Sequence, residues 1–323
     1  MADLRASIVI PSFNEARSLP LLGARLRPVL EAHDVDWEVL VVDDGSSDDS
    51  FAEIQKLHAQ DPRIKCLRFS RNFGSHIAIS AGLEHCFGDI AIVMTADLEE
   101  PPESVPELLE KWREGYHVVW GIRATSAKRG LGRFASYAFH RIFAWIAEQG
   151  PGQSEIGGGL FLVDAKVLDT IRRFSERNRN IIGLLLWAGF RQTRITYKPA
   201  PRRFGTSKWT FAKKVRLALD TFVAFSSRPL RLMFGTGAAL LSLGAVALFA
   251  FVALLVAVGG LSMPVMLAGA VSALALVLGT QLVAIGLLGE YVARALDDAR
   301  ARPLYVVQDH LGVTSPRTSR AGT

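Results

Sequence analysis

The chain has almost no cysteine: Cys66 and Cys86 are the only two in 323 residues. Both sit in segments that read as core elements. A disulfide framework and a cysteine-rich metal knuckle are therefore excluded, and a reducing compartment fits. The first residues, Met1 to Pro11, lack the apolar core of a signal peptide. No internal repeat is visible. The largest absence is of charge. From Leu232 to Gly289 there is no Asp, Glu, Lys or Arg, in a chain whose residues are 21% charged. Soluble helices rarely stay uncharged on every face, so a pair of buried core helices is the weaker reading. The block divides at Gly259–Pro264 (GGLSMP), and each half exceeds the roughly 20 residues that cross a bilayer core. Arg228 and Arg231 precede it, Arg294, Arg300 and Arg302 follow it, and the connecting loop has no Lys or Arg. The positive-inside rule predicts a two-span hairpin with both ends cytoplasmic. The net charge of +6 concentrates at these flanks. That placement fits a membrane surface and argues against nucleic acid as a partner.

The first half alternates strand-like and helix-like segments. Strands are expected at Ser7–Pro11, Glu38–Asp43, Ile64–Phe69, Asp89–Met94 and His117–Trp120, and helices at Leu19–Ala32, Ser50–Ala59, His76–Cys86 and Pro106–Glu114. That order predicts an α/β fold: a mostly parallel sheet flanked by helices, with ligands outside the carboxyl ends of the strands. The polar residues cluster at those ends: Asn14 and Glu15, Asp43 and Asp44, Arg71 and Asn72, Asp97, and Arg123. Thr125–Phe143 is basic and amphipathic, Gly157–Ile171 reads as a glycine-rich turn, a strand and a helix start, and Tyr197–Trp209 reads as a loop. Thr210–Phe225 has cationic and apolar faces and directly precedes the apolar block, as an interfacial helix would; a solvated surface helix is the alternative. The tail after His310 reads as disordered.

Two strand ends carry acidic chemistry. Val41–Asp48 (VVDDGSSD) ends a strand in two carboxylates, which accept hydrogen bonds from base N–H and ribose hydroxyl groups. A turn that caps the next helix with Asp48 or Asp49 is the simpler account of the same residues. Met94–Pro102 (MTADLEEPP) places Asp97 at a strand end with Glu99 two residues on, a pattern that suits a hard divalent cation such as Mg²⁺ or Mn²⁺. Such a cation would neutralise a diphosphate leaving group. A solvated acidic loop is the alternative. Arg123, Arg133, Arg202, Arg203 and Lys208 are cations of the type that hold phosphates, and each alone reads as an ordinary surface charge.

Taken in order, SIVIPSFNE, VVDDGSSD, FSRNFG, MTADLEEPPE, GIR and RRFGTSKWTF resemble family 2 glycosyltransferases. More closely, they are similar to the polyprenyl-phosphate branch, which includes dolichol-phosphate mannose synthases and bacterial undecaprenyl-phosphate glycosyltransferases. FSSRPLRL before the apolar block and GLLGEYVAR after it extend the likeness from about Ser7 to Tyr305. The resemblance implies a GT-A fold and inverting transfer from a UDP- or GDP-sugar to a polyprenyl phosphate. It implies nucleoside contacts at Pro11, Phe13, Glu15, Val42 and Asp44. Ala96 and Asp97 would stand at the metal and diphosphate, and Arg123, Arg133, Arg202 and Lys208 at phosphates of donor or acceptor. Asp97, Arg202 and Lys208 are then the catalytic set, and Asp97 with Glu99 the metal set.

Two departures stand out. Thr95 replaces the first Asp of the usual Asp-X-Asp, and Gly159 falls where the family carries an acidic residue often assigned as base. Glu155 and Asp164 lie nearby in sequence. A phosphate monoester is already anionic near neutral pH, with a second pKa of about 6, so it needs little help from a base. The expected organisation is a GT-A domain over 1–209, a juxtamembrane amphipathic helix over 210–229, a two-span hairpin over 230–290 and a cytoplasmic tail over 291–323, in a bacterial inner membrane. Small residues such as Gly235–Ala239 permit close helix packing, with a second copy of the chain or another partner. A catalytically impaired, nucleotide-sugar-binding scaffold is the second reading. A processive polysaccharide synthase is a poorer one, because no Gln-X-X-Arg-Trp segment is present.

Overall fold

The computed structural model describes residues 4–33, 35–124, 159–174, 176, 179–201, 263–300 and 302–313, with scattered positions between 235 and 253. The chain divides into two units, one of residues 1–144, 149–214 and 303–323, the other of 145–148 and 215–302.

The first unit is built on eight strands. In chain order its elements are β1 (Arg5–Ser12), α1 (Leu19–Glu31), β2 (Asp36–Asp43), α2 (Ser50–Gln60), β3 (Ile64–Phe69), α3 (Ser75–His85), β4 (Ile90–Val93), a 3-10 turn (Pro102–Ser104), α4 (Val105–Arg113), β5 (Val118–Arg123), β6 (Phe161–Asp164), α5 (Ala165–Arg172), α6 (Ile181–Trp187), β7 (Gln192–Tyr197) and, after the second unit, β8 (Val307–Leu311). The strand order across the sheet is β7-β5-β6-β4-β1-β2-β3-β8. β4, β1, β2 and β3 are parallel neighbours. β6 runs antiparallel to both β4 and β5, and β5 is parallel to β7. β1 to β5 and β7 therefore all end at one edge of the sheet.

The parallel strands are continuous apolar runs because both faces are covered. In β2, Val39 and Val41 pack with Ile8, Ile10 and the α1 leucines on one face. Leu40 and Val42 pack with Leu67, Phe69 and Ala78 of α3 on the other. Helix α1 meets the sheet through Leu19, Leu22, Leu26 and Leu30, spaced at three and four residues, each at most 5% exposed. Burial of each such side chain is worth about 1.5–3 kcal/mol. α5 starts where the Asp164 side chain accepts from the Val167 N–H (2.9 Å).

Val307–Leu311 pairs antiparallel with β3, from Cys66 opposite Leu311 to Phe69 opposite Val307, a strand whose last residue overlaps the start of the expected tail; residues 314–323 lie outside the described residues. The expected loop at Tyr197 is displaced, because Tyr197 closes strand β7.

The second unit holds the helix α7 (Met263–Ala299). Within it Gly269–Ala293 has a mean hydropathy of 2.2 and is long and apolar enough to cross a membrane. Twenty-five residues at 1.5 Å each reach about 37 Å, against a hydrocarbon core of about 30 Å. Described apolar side chains of this helix are exposed within the unit, as at Val271, Leu274, Leu282, Ile285 and Leu288. It is the one candidate span among the described residues. The first expected span is described only at scattered helical positions between 235 and 253. The stretches 125–143 and 210–225 lie outside the described residues.

Candidate functional site

The polar strand ends converge at one sheet edge and form two adjoining groups. The first lies at the ends of β1 and β2. Pro11 and Val42 are register partners, as are Ser12 and Asp43. Val42 is wholly buried against Phe69 and Leu67. After β1 the chain turns at Asn14 (φ 54), a left-handed conformation that asparagine tolerates. The Asn14 N–H donates to Ser46 Oγ (2.9 Å), and its side-chain oxygen accepts from the Ser47 N–H (2.8 Å). The Glu15 N–H donates to Ser50 Oγ (2.8 Å), and its carboxylate accepts from Ser18 at the start of α1 (3.0 Å). Phe13 is half-buried between these turns.

Asp43 and Asp44 divide the work of that edge. Asp44 is 3% exposed, and its two oxygens accept from the N–H groups of Phe73 (2.7 Å) and Gly74 (2.9 Å). Burial pushes its pKa up to about 6, against the pull of those two N–H donors. Asp44 thus ties the segment after β3 to the end of β2. Asp43 uses Oδ1 to accept from the Ser46 N–H (3.0 Å), while its Oδ2 is buried without a hydrogen bond, 3.6 Å from Arg68 Nε. Ser12 Oγ, on the register partner, also lacks one. Asp43 was not singled out over Asp44 by sequence; only the burial of its second oxygen marks it. Gly45 (φ 68) makes the join possible, since a β-carbon there would stand 2.7 Å from the α-carbon of Arg71.

The second group lies after β4 and β5. Ala96 is buried and Asp97 is 7% exposed. Leu98, a bulky residue at φ 64, stores strain in the turn that follows. Asp97 Oδ1 accepts from the Thr95 hydroxyl (2.6 Å) and the Glu99 N–H (3.2 Å). Arg123, at the end of β5, has all three nitrogens engaged. Nη1 pairs with Glu99 (2.7 Å), Nη2 donates to Glu100 (2.7 Å) and Nε donates to the Tyr197 hydroxyl (3.2 Å). Burial works against its charge, but Glu100 and Tyr197 outweigh that and raise its pKa above the ordinary arginine value. The same surroundings, burial first and then the Glu100 charge, push the Tyr197 hydroxyl up.

The residues expected to hold a metal have other partners in this structure. Among the described residues no group of three or more His, Cys, Asp or Glu is disposed to hold a metal ion. Glu99 faces the Arg123 guanidinium, and the Thr95 hydroxyl donates to Asp97. Of the expected residues, Pro11, Phe13, Glu15, Val42 and Asp44 meet at one group and Ala96, Asp97, Glu99 and Arg123 at the other. Arg133, Arg202, Arg203, Lys208 and Glu155 lie outside the described residues. Glu100 and Tyr197 were missed. Glu100 reads in sequence as one more acid in a solvated loop, and Tyr197 as the start of a loop.

An undecaprenyl-phosphate 4-deoxy-4-formamido-L-arabinose transferase of Yersinia pestis is 36% identical over 316 residues, covering 95% of this chain and 94% of that protein. An uncharacterized glycosyltransferase of Synechocystis is 35% identical over 315 residues, with 96% of each chain covered. One of Bacillus subtilis is 34% identical over 318 residues, covering 98% of this chain and 97% of its own. Among solved structures, mannosyl-3-phosphoglycerate synthase from Rubrobacter xylanophilus superposes with a TM-score of 0.49 at 17% identity, over 71% of this chain and 74% of that one. Residues 7–171, which contain the ends of β1 to β6, match the family described as glycosyl transferase family 2. With that match and relatives aligned along nearly its whole length, the chain belongs to glycosyltransferase family 2.

Proposed function

We propose that the chain moves a sugar from a UDP- or GDP-sugar to a polyprenyl phosphate at the cytoplasmic face of a bacterial inner membrane, with inversion at the anomeric carbon. The observation that carries this reading is the place of the apolar helix in the chain. α7 lies between β7 and β8, two strands of the one sheet whose edge holds the site residues. An acceptor dissolved in water needs no such helix, whereas a lipid phosphate is met in the plane of a membrane. The Yersinia relative, named for an undecaprenyl-phosphate transfer, supports the same acceptor class.

The connectivity also bears on the number of spans. A hydrogen-bonded sheet lies on one side of a bilayer, so the chain between β7 and β8 crosses an even number of times. A crossing by Gly269–Ala293 then requires a partner, and the charge-free residues 232–258 are the stretch able to supply it. The arginines at both flanks favour the cytoplasm for the sheet.

In this reading Pro11, Phe13, Glu15, Val42 and Asp44 hold the nucleoside, and Ala96 and Asp97 stand beside the diphosphate. Arg123, Arg133, Arg202 and Lys208 hold phosphates. A lipid-phosphate oxygen attacks the anomeric carbon from the face opposite the nucleotide. The C–O bond to the acceptor forms as the bond to the donor diphosphate breaks, and the electron pair leaves with the nucleoside diphosphate. The acceptor is already anionic, with a second pKa of about 6, so positioning and charge neutralisation carry the rate.

The test is transfer of radiolabel from UDP- and GDP-sugars to undecaprenyl phosphate by the purified full chain in detergent, with and without Mn²⁺. Label in the lipid extract is the expected result. No transfer from any common donor by folded protein would sink the proposal.

A further inference from the structure

Glu100 is a carboxylate with no exposure to solvent, three residues from Asp97. Its Oε1 accepts from Arg123 Nη2 (2.7 Å) and from the Tyr197 hydroxyl (3.1 Å), and its Oε2 accepts from the Thr95 hydroxyl. Gly159, where the chain enters β6, lies against the same carboxylate. A β-carbon built on Gly159 would collide with Glu100 Oε1 and stand 2.9 Å from its Cδ. The space above the Gly159 α-carbon is therefore filled by a carboxyl group delivered from another loop. A larger side chain at 159 would displace it, and a carboxylate at 95 would repel it at hydrogen-bond range.

We propose that Glu100 is the positioning residue that fixes Arg123 at the edge of the donor site, and that Thr95 and Gly159 are the small partners that make room for it. The proposal rests on the donor-binding reading above. A buried carboxylate needs its counter-charge, so Glu100 and Arg123 hold each other. The two acidic partners of Arg123 are not equivalent. The Glu99 side chain is 22% exposed, Glu100 is closed off from water, and the Arg123 side chain is 45% exposed. A donor phosphate can take the place of Glu99 at Nη1 while Glu100 and Tyr197 keep the guanidinium plane in place. Arginine suits that exchange because its fork presents several donors in a fixed geometry. The shared hydrogen of Thr95, between Asp97 and Glu100, ties the same carboxylate to the turn after β4.

The test uses the full chain in detergent and four variants: Glu100→Gln, Glu100→Ala, Gly159→Asp and the double variant Glu100→Ala with Gly159→Asp. The readouts are UDP and GDP affinity by calorimetry, thermal stability, and the split of donor KM against kcat. Glu100→Gln keeps the shape and loses the charge; it is expected to remain folded and to bind its nucleotide about tenfold more weakly, with donor KM raised in step. Gly159→Asp alone is expected to unfold at lower temperature, because its β-carbon meets Glu100. The double variant returns a carboxylate to the same space from the opposite side, and is expected to bind at least fivefold more tightly than Glu100→Ala alone. Wild-type affinity in Glu100→Gln overturns the proposal. So does a double variant no better than Glu100→Ala. A wild-type chain that binds nucleotide but transfers nothing to lipid phosphate defeats the acceptor assignment alone, and the affinities of the variants still decide the role of Glu100. A wild-type chain that binds neither nucleotide defeats both.

Discussion

Asp44 is a carboxyl group held out of water by its own fold, and its pKa of about 6 against a model-peptide value of 3.8 makes it a pH-sensitive joint. A carboxyl whose folded pKa is raised binds its proton more tightly in the folded state. Its contribution to stability is greatest below pH 3.8 and is lost as pH rises through about 6. His76 works the other way. Burial pushes it down to about 4, so its contribution is present above 6.5 and lost as pH falls. The two slopes overlap, and the difference between wild type and Asp44→Asn isolates the first. Relative to that variant, wild-type stability is expected to fall by up to about 3 kcal/mol between pH 4 and pH 7. Thermal unfolding of the full chain across that range checks it, and parallel curves for the two proteins would refute it. Donor affinity is expected to weaken below pH 6, as the carboxyl gains its proton and loses acceptor capacity.

Among the elements, β8 has the clearest separate role. It covers the β3 edge, which would otherwise present unpaired N–H and C=O groups. Just before it, Tyr305 stacks on Phe69 at 4.9 Å and 21°, and its hydroxyl donates to Glu84 (2.9 Å). The Ser70 N–H donates to the Val306 carbonyl (3.0 Å), and Arg68 reaches Asp309 on β8 and Asp43 on β2. The strap therefore supports the segment whose N–H groups hold Asp44. Tyr305→Phe, which keeps the ring and drops one charged hydrogen bond, is expected to cost about 1–2 kcal/mol. Tyr305→Ala, which also empties the stack, is expected to cost about 3–4 kcal/mol and to weaken nucleotide binding. Denaturant unfolding monitored on both variants checks the ordering; equal losses would mean that the stack contributes nothing.

For the molecule as a whole, the prediction is topological. Single cysteines at Ser262 and Ser315 should differ in their access to a membrane-impermeant thiol reagent applied to intact cells. Ser262→Cys, between the two expected spans, is expected to label, and Ser315→Cys, after β8, is not. The native cysteines leave a clean background. Cys66 and Cys86 are at most 2% exposed, and burial raises both thiols, Cys86 to about 11. Labelling at both introduced positions, or at neither, would defeat the hairpin.

What the sequence determined by itself was whatever depends on neighbours along the chain. Ile64–Phe69 was legible to the residue, and β1, β2 and β4 to within two, because strands covered on both faces are unbroken apolar runs that end in polar turns. Within the charge-free block, one helix long and apolar enough to cross a membrane was legible from composition alone. β7 and β8 were not. They are edge strands with exposed, alternating residues, QTRITY and VQDHL, whose pairing is supplied by β5 and β3 rather than by their own apolarity. The site divides along the same line. Strand-end carboxylates such as Asp44 and Asp97 could be read from spacing. The loss of acid at Thr95 and Gly159 could be seen too, but its counterpart could not. Only the tertiary structure decided that Glu100 fills the space above Gly159, 59 positions along the chain, and that Arg123 is held by Glu99, Glu100 and Tyr197 together. Those contacts exist because the order of strands brings four segments to one edge, and pairwise proximity across a sheet leaves no periodic trace in any one of them.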